Sequence, residues 1–461
     1  MVSPQVDNLG PLLVDFLENE GELLPDRLVP DIRSYMGGFA PENFDGTYAG
    51  AVKASKALSR SLNIPFVRML MSYRTEKFHS RLRDFGLSTI NQPPGHYGLS
   101  LILGGAEATL EDLCTAYGSM ARVLLNFGEH SPHHYAATDW HPPVLLQLDD
   151  TTTAPPVTNR FGKLGAAAVW FTLQAMLEVE RPAAEASWRA FENARNIAWK
   201  TGTSYGHRDA WAVGVTSQHV VAVWVGNADG EGRPGLTGFN YAAPVLFEIF
   251  GLLPPAPAWF TPPYDDFASV AVCPESGCLK GPWCPAGEVR DIPAGGIKSV
   301  VCPWHRLASL DASGQWRVHA DCEQATNMQQ QHFFVLPPAQ EYYYKARNAR
   351  YRELPPWRAD CRGSQQEKLE DMQVVYPLKY TEVTLPRELD GNTGGMVVEV
   401  AHRKPGEIVY WHLNGQYLGE TRSFHQMTIY PEPGNHTLTL TDASGQTLEH
   451  PFSVQVTGSK R

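Results

Sequence analysis

Apolar positions change their period along the first 250 residues. Over residues 49–62 and 108–125 they recur at helical spacing, which predicts two amphipathic helices, the second stopped by Gly128. Residues 160–177 predict a further helix. The pattern then shortens to β-rich runs at 197–203, 210–215 and 220–225, separated by Tyr205-Gly206-His207 and Ser217-Gln218. Three such runs with tight connections predict an antiparallel meander. The run 219–225 is apolar with little alternation, the pattern of a buried strand.

Past residue 253 the pattern breaks. Pro254, Pro255, Pro257, Pro262 and Pro263 crowd a boundary that no helix crosses. Residues 254–365 hold most of the cysteines and many prolines, and predict a loop-rich, disulfide-stapled connector. Its aromatic run Tyr342-Tyr343-Tyr344 reads as packing rather than as a glycan platform. Residues 366–461 return to short alternating strands, such as 395–401 and 436–440, with turn signals at Asn414-Gly415 and Ser444-Gly445. That is the pattern of a small immunoglobulin-like β-sandwich. The fold class expected for the whole is α+β: an antiparallel sheet with packed helices over 1–253, the connector, and the sandwich.

Composition narrows the partners. A chain of 461 residues has room for two or three domains, and 43% apolar with 19% charged residues is ordinary for a globular protein. The net charge of −11 excludes a nucleic-acid partner, because no basic stripe neutralises phosphates. No window reaches the ~18 consecutive apolar residues of a membrane span. No charged head precedes an apolar stretch after Met1, so no signal peptide is visible, which alone would place the chain in the cytoplasm. The cysteines point the other way. Cys114 falls in an apolar helical pattern and reads as core, while Cys273, Cys278, Cys284, Cys302, Cys322 and Cys361 form an even set. An even set in a Pro- and Gly-rich stretch favours disulfides and an oxidising compartment. The competing reading is a zinc site using three of these cysteines with His305, although no regular CxxC pair is present. His130, His133, His134 and His141 fit no helix face and lie in a Pro- and Thr-rich loop, so they are not read as metal ligands.

The sharpest chemical signal is Trp199-Lys200-Thr201-Gly202-Thr203-Ser204, at the start of the meander. A strand bearing Lys-Thr-Gly suits a reaction centre. The lysine supplies a fixed positive charge for a substrate carboxylate and depresses nearby proton affinities. The glycine lets a substrate backbone lie against the strand, and the threonine hydroxyls can bind the carboxylate. The following Tyr205, Gly206, Arg208, Asp209, Ala210, Trp211 and Gly214 give the tripeptide a context it lacks alone. His207 and Arg208 leave two readings open, a solvated turn or a substrate-facing pair. The second signal is Ser61-Leu62-Asn63, followed by Pro65 at a helix end. There a serine hydroxyl and an asparagine amide two residues apart could shuttle a proton and orient a substrate amide. Taken alone, Ser-x-Asn at a helix end is capping.

Together these elements resemble the second and third motifs of penicillin-recognising acyl enzymes. More narrowly, the chain resembles penicillin-binding proteins of the 1C type through Asn43-Phe44-Asp45-Gly46, residues 60–65, residues 98–106 with 109–113, and the last ~95 residues. The resemblance implies a periplasmic enzyme of peptidoglycan assembly, associated with the inner membrane in its full-length form, with a membrane anchor and a glycosyltransferase domain upstream of Met1. It implies that Lys200, Thr201 and Thr203 bind the terminal carboxylate of the stem peptide or of a β-lactam, with Ser204 in the same substrate-binding strand. Gly202 would allow close approach, the Thr203 N–H would form half of an oxyanion hole, and Ser61 and Asn63 would serve proton transfer and orientation. The partners it implies are the peptidoglycan stem peptide, its lipid-linked precursor, β-lactams, and other cell-wall synthesis proteins through the C-terminal β domain. It implies no cofactor.

One element of the pattern is missing. The family's first motif, Ser-x-x-Lys, supplies the nucleophile and the lysine that assists its deprotonation. No serine in this chain has lysine at the third following position. At the expected place, just before Pro11-Leu12-Leu13, the chain reads Asp7-Asn8-Leu9-Gly10, so Asp7 stands at the serine and Gly10 at the lysine. Two explanations compete: a longer gene cut short, which is favoured, or a decayed enzyme. Loss of N-terminal strands would leave a hydrophobic sheet edge and a poorly soluble, inactive polypeptide. Three functional classes follow: part of a bifunctional peptidoglycan glycosyltransferase and transpeptidase, a non-catalytic binding module, and, least favoured, a separate hydrolase.

Overall fold

The computed structural model describes the chain apart from residues 1–4, 7, 35–40, 130–134, 137–138, 144–156, 159–163, 183–194, 362–370, 378, 386–393, 405, 424 and 457–461. Asp7, the histidines His130, His133 and His134, and the start of the helix expected from residue 160 therefore lie outside the described residues. The rest falls into two compact units, one built mostly from residues before 303 and the other from residues 30–52 with most of the chain after 303.

In the first unit, α1 is Gly10–Asn19, α2 Ala54–Ser59, α3 Asn63–Tyr73, α4 Leu110–Glu129 and α5 Ala166–Leu177. The single helix expected over 49–62 is instead a short strand, Gly50–Lys53, followed by α2. Gly50 at φ +78° stands where a helix cannot pass, and the chain turns again at Ser61, φ +53°. The expected meander forms: β1 Ala198–Thr203, β2 Asp209–Val215 and β3 Val220–Gly226 pair antiparallel in that order, with Lys200 opposite Val213 and Gly202 opposite Trp211. All seven residues of β2 are buried, so both faces of the sheet are covered. Helix α6, Ala243–Leu252, covers one face through Leu246, Phe247 and Phe250, packed on Trp199, Ala210 and Ala212. Helix α5 packs on β1, and α4 on β2 and β3. The hairpin of β4, Phe267–Val272, and β5, Glu288–Pro293, completes the unit's regular structure used below.

In the second unit, β6, His305–Leu310, and β7, Gln329–Phe334, form a hairpin followed by helix α7, Pro338–Arg347. The stretch expected to be loop-rich thus contains two hairpins and a helix. The tyrosine run lies on α7, where Tyr343 meets Tyr48 at 5.6 Å and Tyr344 meets Tyr351 at 5.7 Å, as the packing reading requires. Cys322 and Cys361 form a disulfide.

The C-terminal strands are β8 Met372–Tyr376, β9 Glu382–Leu385, β10 Met396–His402, β11 Val409–Leu413, β12 Gln416–Thr421, β13 His425–Ile429, β14 Gly434–Asp442 and β15 Thr447–Val456. They make a three-stranded sheet, β8-β10-β13, and a five-stranded sheet, β9-β15-β14-β11-β12. Inward side chains alternate along β10, where Met396, Val398 and Val400 are buried, and meet Trp411, Leu438, Leu440 and Phe452 in one core. The turn Asn414-Gly415 has positive φ at both residues, 51° and 83°, the conformation Asn-Gly favours in a two-residue hairpin. The described architecture is α+β, as expected.

Candidate functional site

Strand β1 presents its motif on two faces. Trp199, Thr201 and Thr203 share the face that α6 covers, where Trp199 is fully buried and meets Phe247 edge-on at 5.0 Å. Lys200 and Gly202 take the opposite face. Lys200 is buried, and its ammonium donates to the Thr201 carbonyl at 2.6 Å. The order of the sheet leaves β1 at an edge.

Three contacts around this strand carry no signature in residue spacing. The Gly238 N–H donates to Thr203 Oγ1 at 3.0 Å. A β-carbon at Gly238 would come within 2.5 Å of the Gly202 carbonyl oxygen and 2.4 Å of that of Trp211, so only glycine lets this loop lie so close to the motif. Ser204 is buried in a reciprocal pair: its hydroxyl donates to Asp209 Oδ2 at 3.0 Å and accepts from the Asp209 N–H at 2.9 Å. Asp209 Oδ1 in turn accepts from Trp224 Nε1 at 2.9 Å, which ties the end of β1 to β3. His207, at φ +55°, lies 3.1 Å through Nδ1 from the Leu236 carbonyl, and Arg208 is exposed.

Ser61 and Asn63 flank the break between α2 and α3. Ser61 is half-buried and lies outside both helices, with its N–H donating to the Leu58 carbonyl, while Asn63 is the first residue of α3. The two motifs belong to the same unit, and α5 packs against both α2 and β1. One helix therefore supports the Ser-x-Asn segment and the Lys-Thr-Gly strand.

The same helix packs on α1, the element that follows Asp7 to Gly10. Gly10 is buried at the start of α1, and a β-carbon there would stand 3.1 Å from Cε1 of Phe66 on α3. Asn8 is fully buried, and among the described residues neither atom of its side-chain amide has a hydrogen-bond partner, while its carbonyl accepts from Tyr117 at 2.8 Å. Further along α1, burial pushes the carboxyls of Asp15 and Glu18 well above the usual carboxylate range. Both Asp15 oxygens lack a hydrogen-bond partner among the described residues.

Residues 361–454 match the Penicillin-Binding Protein C-terminus Family. The chain is 30% identical to penicillin-binding protein 1C of Escherichia coli, over 97% of this chain and 56% of that protein. It is 27% identical to penicillin-binding protein 1A of Neisseria cinerea, over 45% of this chain and 25% of that protein. It thus spans about half the length of the first relative and a quarter of the second. Among solved structures it is similar to penicillin-binding protein 1A of Haemophilus influenzae, with a TM-score of 0.45 and 17% identity over 64% of this chain and 48% of that one. With the C-terminal match and near-complete alignment to a 1C protein, the chain fits the C-terminal part of a protein like penicillin-binding protein 1C.

Proposed function

We propose that this chain serves peptidoglycan synthesis in the periplasm as the stem-peptide-recognising portion of a 1C-type synthase, and that it binds D-Ala-D-Ala termini or β-lactams without being acylated. Residues 1–253 supply recognition, 254–365 connect, and 366–461 form the terminal sandwich. The carboxylate-binding strand supports recognition. Lys200, Thr201, Gly202 and Thr203 stand on an edge strand, with Lys200 buried and Gly202 free of a side chain. Ser61 and Asn63 sit at the helix junction supported by the same α5.

The observation that carries the acylation-incompetent reading is the packing of Gly10. The site that a Ser-x-x-Lys motif would give to lysine holds a glycine whose side-chain direction is crowded by the Phe66 ring at 3.1 Å. Glycine supplies no ammonium, and without one a neighbouring hydroxyl remains a poor nucleophile at neutral pH. Incubation of the full chain with a fluorescent penicillin tests this. Saturable binding that is lost on denaturation, with no adduct by intact mass, is expected. A covalent adduct at one residue refutes the reading.

A second reading is favoured by the C-terminal family match: a non-catalytic module that recognises peptidoglycan or another cell-wall synthesis protein through the β-sandwich. Binding of isolated sacculi that persists in the Lys200→Ala variant would favour it.

A further inference from the structure

Away from the Lys-Thr-Gly strand, the first unit holds a cleft of about 340 Å³ between α4 and the turn that joins β2 to β3. Cys114, Gly118, Ala121, Arg122 and Leu125 of α4 line it, together with residues 216–220 of the turn. Asp209 pairs with Gly226, and Val215 with Val220, so the cleft lies at the opposite end of β2 and β3 from the Ser204 and Asp209 pair. We propose that this cleft binds a small monocarboxylate with an apolar body, held by the Arg122 guanidinium.

The state of Arg122 carries the argument. Its Nε donates to the Asp139 carbonyl at 2.9 Å, and its Nη2 donates to Ser119 Oγ and to the His141 carbonyl, each at 2.9 Å. All three acceptors are neutral. Among the described residues no carboxylate pairs with Arg122, and its Nη1 donates to none of them. Nη1 lies over Gly118 in the cleft wall, 3.3 Å from where a β-carbon would stand. The Asp139 carboxylate is engaged elsewhere, accepting from the Ala136 N–H at 3.1 Å and from the Asn126 amide. Burial lowers the Arg122 pKa from its ordinary value, and the charge of Asp139 offsets that only in part. A half-buried cation fixed by neutral groups lacks the counter-charge that compensates its desolvation. An anion in the cleft supplies it.

The rest of the lining sets the ligand's charge and size. The hydroxyls there are already spent: Thr115 Oγ1 donates to the Glu111 carbonyl at 2.8 Å, Thr216 Oγ1 to the His219 carbonyl at 3.2 Å, and Ser217 Oγ to the Ala258 carbonyl at 2.6 Å. A phosphate brings three strong acceptor oxygens and more charge than one guanidinium meets. A carboxylate brings a single charge and suits the planar guanidinium. Gly118, Ala121, Leu125 and Val220 offer its body apolar walls. The volume is at the small end of ligand sites, which fits a single ring or short chain rather than a peptide. The inference does not rest on stem-peptide recognition by the Lys-Thr-Gly strand.

Calorimetric titration of the full chain with benzoate tests it, with benzamide as the neutral isostere. Benzoate is expected to bind with a Kd of about 1 mM or tighter, and benzamide at least tenfold more weakly. Because Lys200 also offers a charge to a carboxylate, Lys200→Ala is titrated alongside and should bind benzoate as the parent chain does. Arg122→Gln should weaken benzoate binding at least tenfold. That substitution also removes three hydrogen bonds that hold residues 119, 139 and 141, so the parent chain supplies an independent readout. Saturating benzoate should slow iodoacetamide labelling of Cys114, read by peptide mass spectrometry, at least threefold. Benzoate that binds no better than benzamide, affinity retained in Arg122→Gln, or Cys114 labelling untouched at saturation would each overturn the proposal. Binding lost in Lys200→Ala would overturn it too, while supporting carboxylate recognition at that strand.

Discussion

Acid should loosen the C-terminal sandwich through one histidine. His425 on β13 is buried, and its Nδ1 lies 2.9 Å from Thr421 Oγ1. Thr421 Oγ1 also accepts a hydrogen bond from Trp411 Nε1 at 2.8 Å, so the imidazole is held within a small buried polar cluster. Burial, reinforced by the His402 ring 5.9 Å away, lowers the His425 pKa to about 4 from an ordinary 6.5. An unfolded chain therefore binds a proton near pH 6.5 that the folded domain refuses until about pH 4. Stability is complete above pH 6.5 and is lost as the pH falls from there toward 4, because the unfolded state binds more protons throughout that window. At pH 5 the loss is about 2 kcal/mol. Asp442 does not blur the window. Although desolvation opposes it, hydrogen bonds from Ser444, Gln446 and His402 hold its pKa below the ordinary carboxylate value, so its own acid loss comes lower. Hydrogen exchange of peptides spanning β10 to β14 in the full chain, at pH 7.5 and pH 5 and corrected for intrinsic rates, measures the difference. His425→Gln should shrink the pH-dependent loss by about 2 kcal/mol, whatever it does to stability at pH 7.5. If His425→Gln loses as much between pH 7.5 and 5 as the parent chain, the histidine is not the cause.

Three further outcomes follow from the first unit. Asp15→Asn should make the chain more stable at pH 7.5 than the parent, by on the order of 1–3 kcal/mol, with little change at pH 4. The folded pKa of Asp15 is raised by burial, so the unfolded state ionises first and stability falls as pH rises above the ordinary carboxylate value; thermal melts across pH check this. Gly10→Ala should destabilise by about 1–3 kcal/mol by pressing on Phe66, and Phe66→Leu in that background should restore part of the loss, a coupling read from a double-mutant cycle. Gly238→Ala should weaken non-covalent β-lactam binding at least tenfold in a calorimetric titration, since its methyl would push on the Gly202 and Trp211 carbonyls.

Legibility in the sequence followed range. The meander was readable because its three strands are β-rich runs separated by turn residues, and β1 to β3 fall within a residue or so of the expected bounds. The Asn414-Gly415 turn was readable because the chemistry that sets it is local. The helix expected over 49–62 failed because periodicity does not register one left-handed glycine at 50 and a left-handed serine at 61. The cysteine set divided in a way no spacing revealed. Cys322 and Cys361 close a 39-residue interval as a disulfide, whereas Cys284 Sγ lies 3.4 Å from His305 Nδ1 across 21 residues.

The part least legible is also the one that bears most on function. Lys-Thr-Gly and Ser-x-Asn are short patterns whose meaning survives in the residues themselves, but an absent lysine says nothing about what replaced it. Only the packing does. Phe66 sits three residues after Asn63 on the helix that carries the Ser-x-Asn segment, and its ring lies where a side chain on Gly10 would begin. The helix that carries Asn63 thus crowds the position of Gly10. A lysine restored at position 10 would press on that ring, and the nucleophile's own place, Asp7, would still lack its hydroxyl. At least two substitutions, Asp7→Ser and Gly10→Lys, separate this sequence from Ser-x-x-Lys, and the second is coupled to α3 through Phe66, so Gly10→Lys alone should give no covalent penicillin adduct by intact mass.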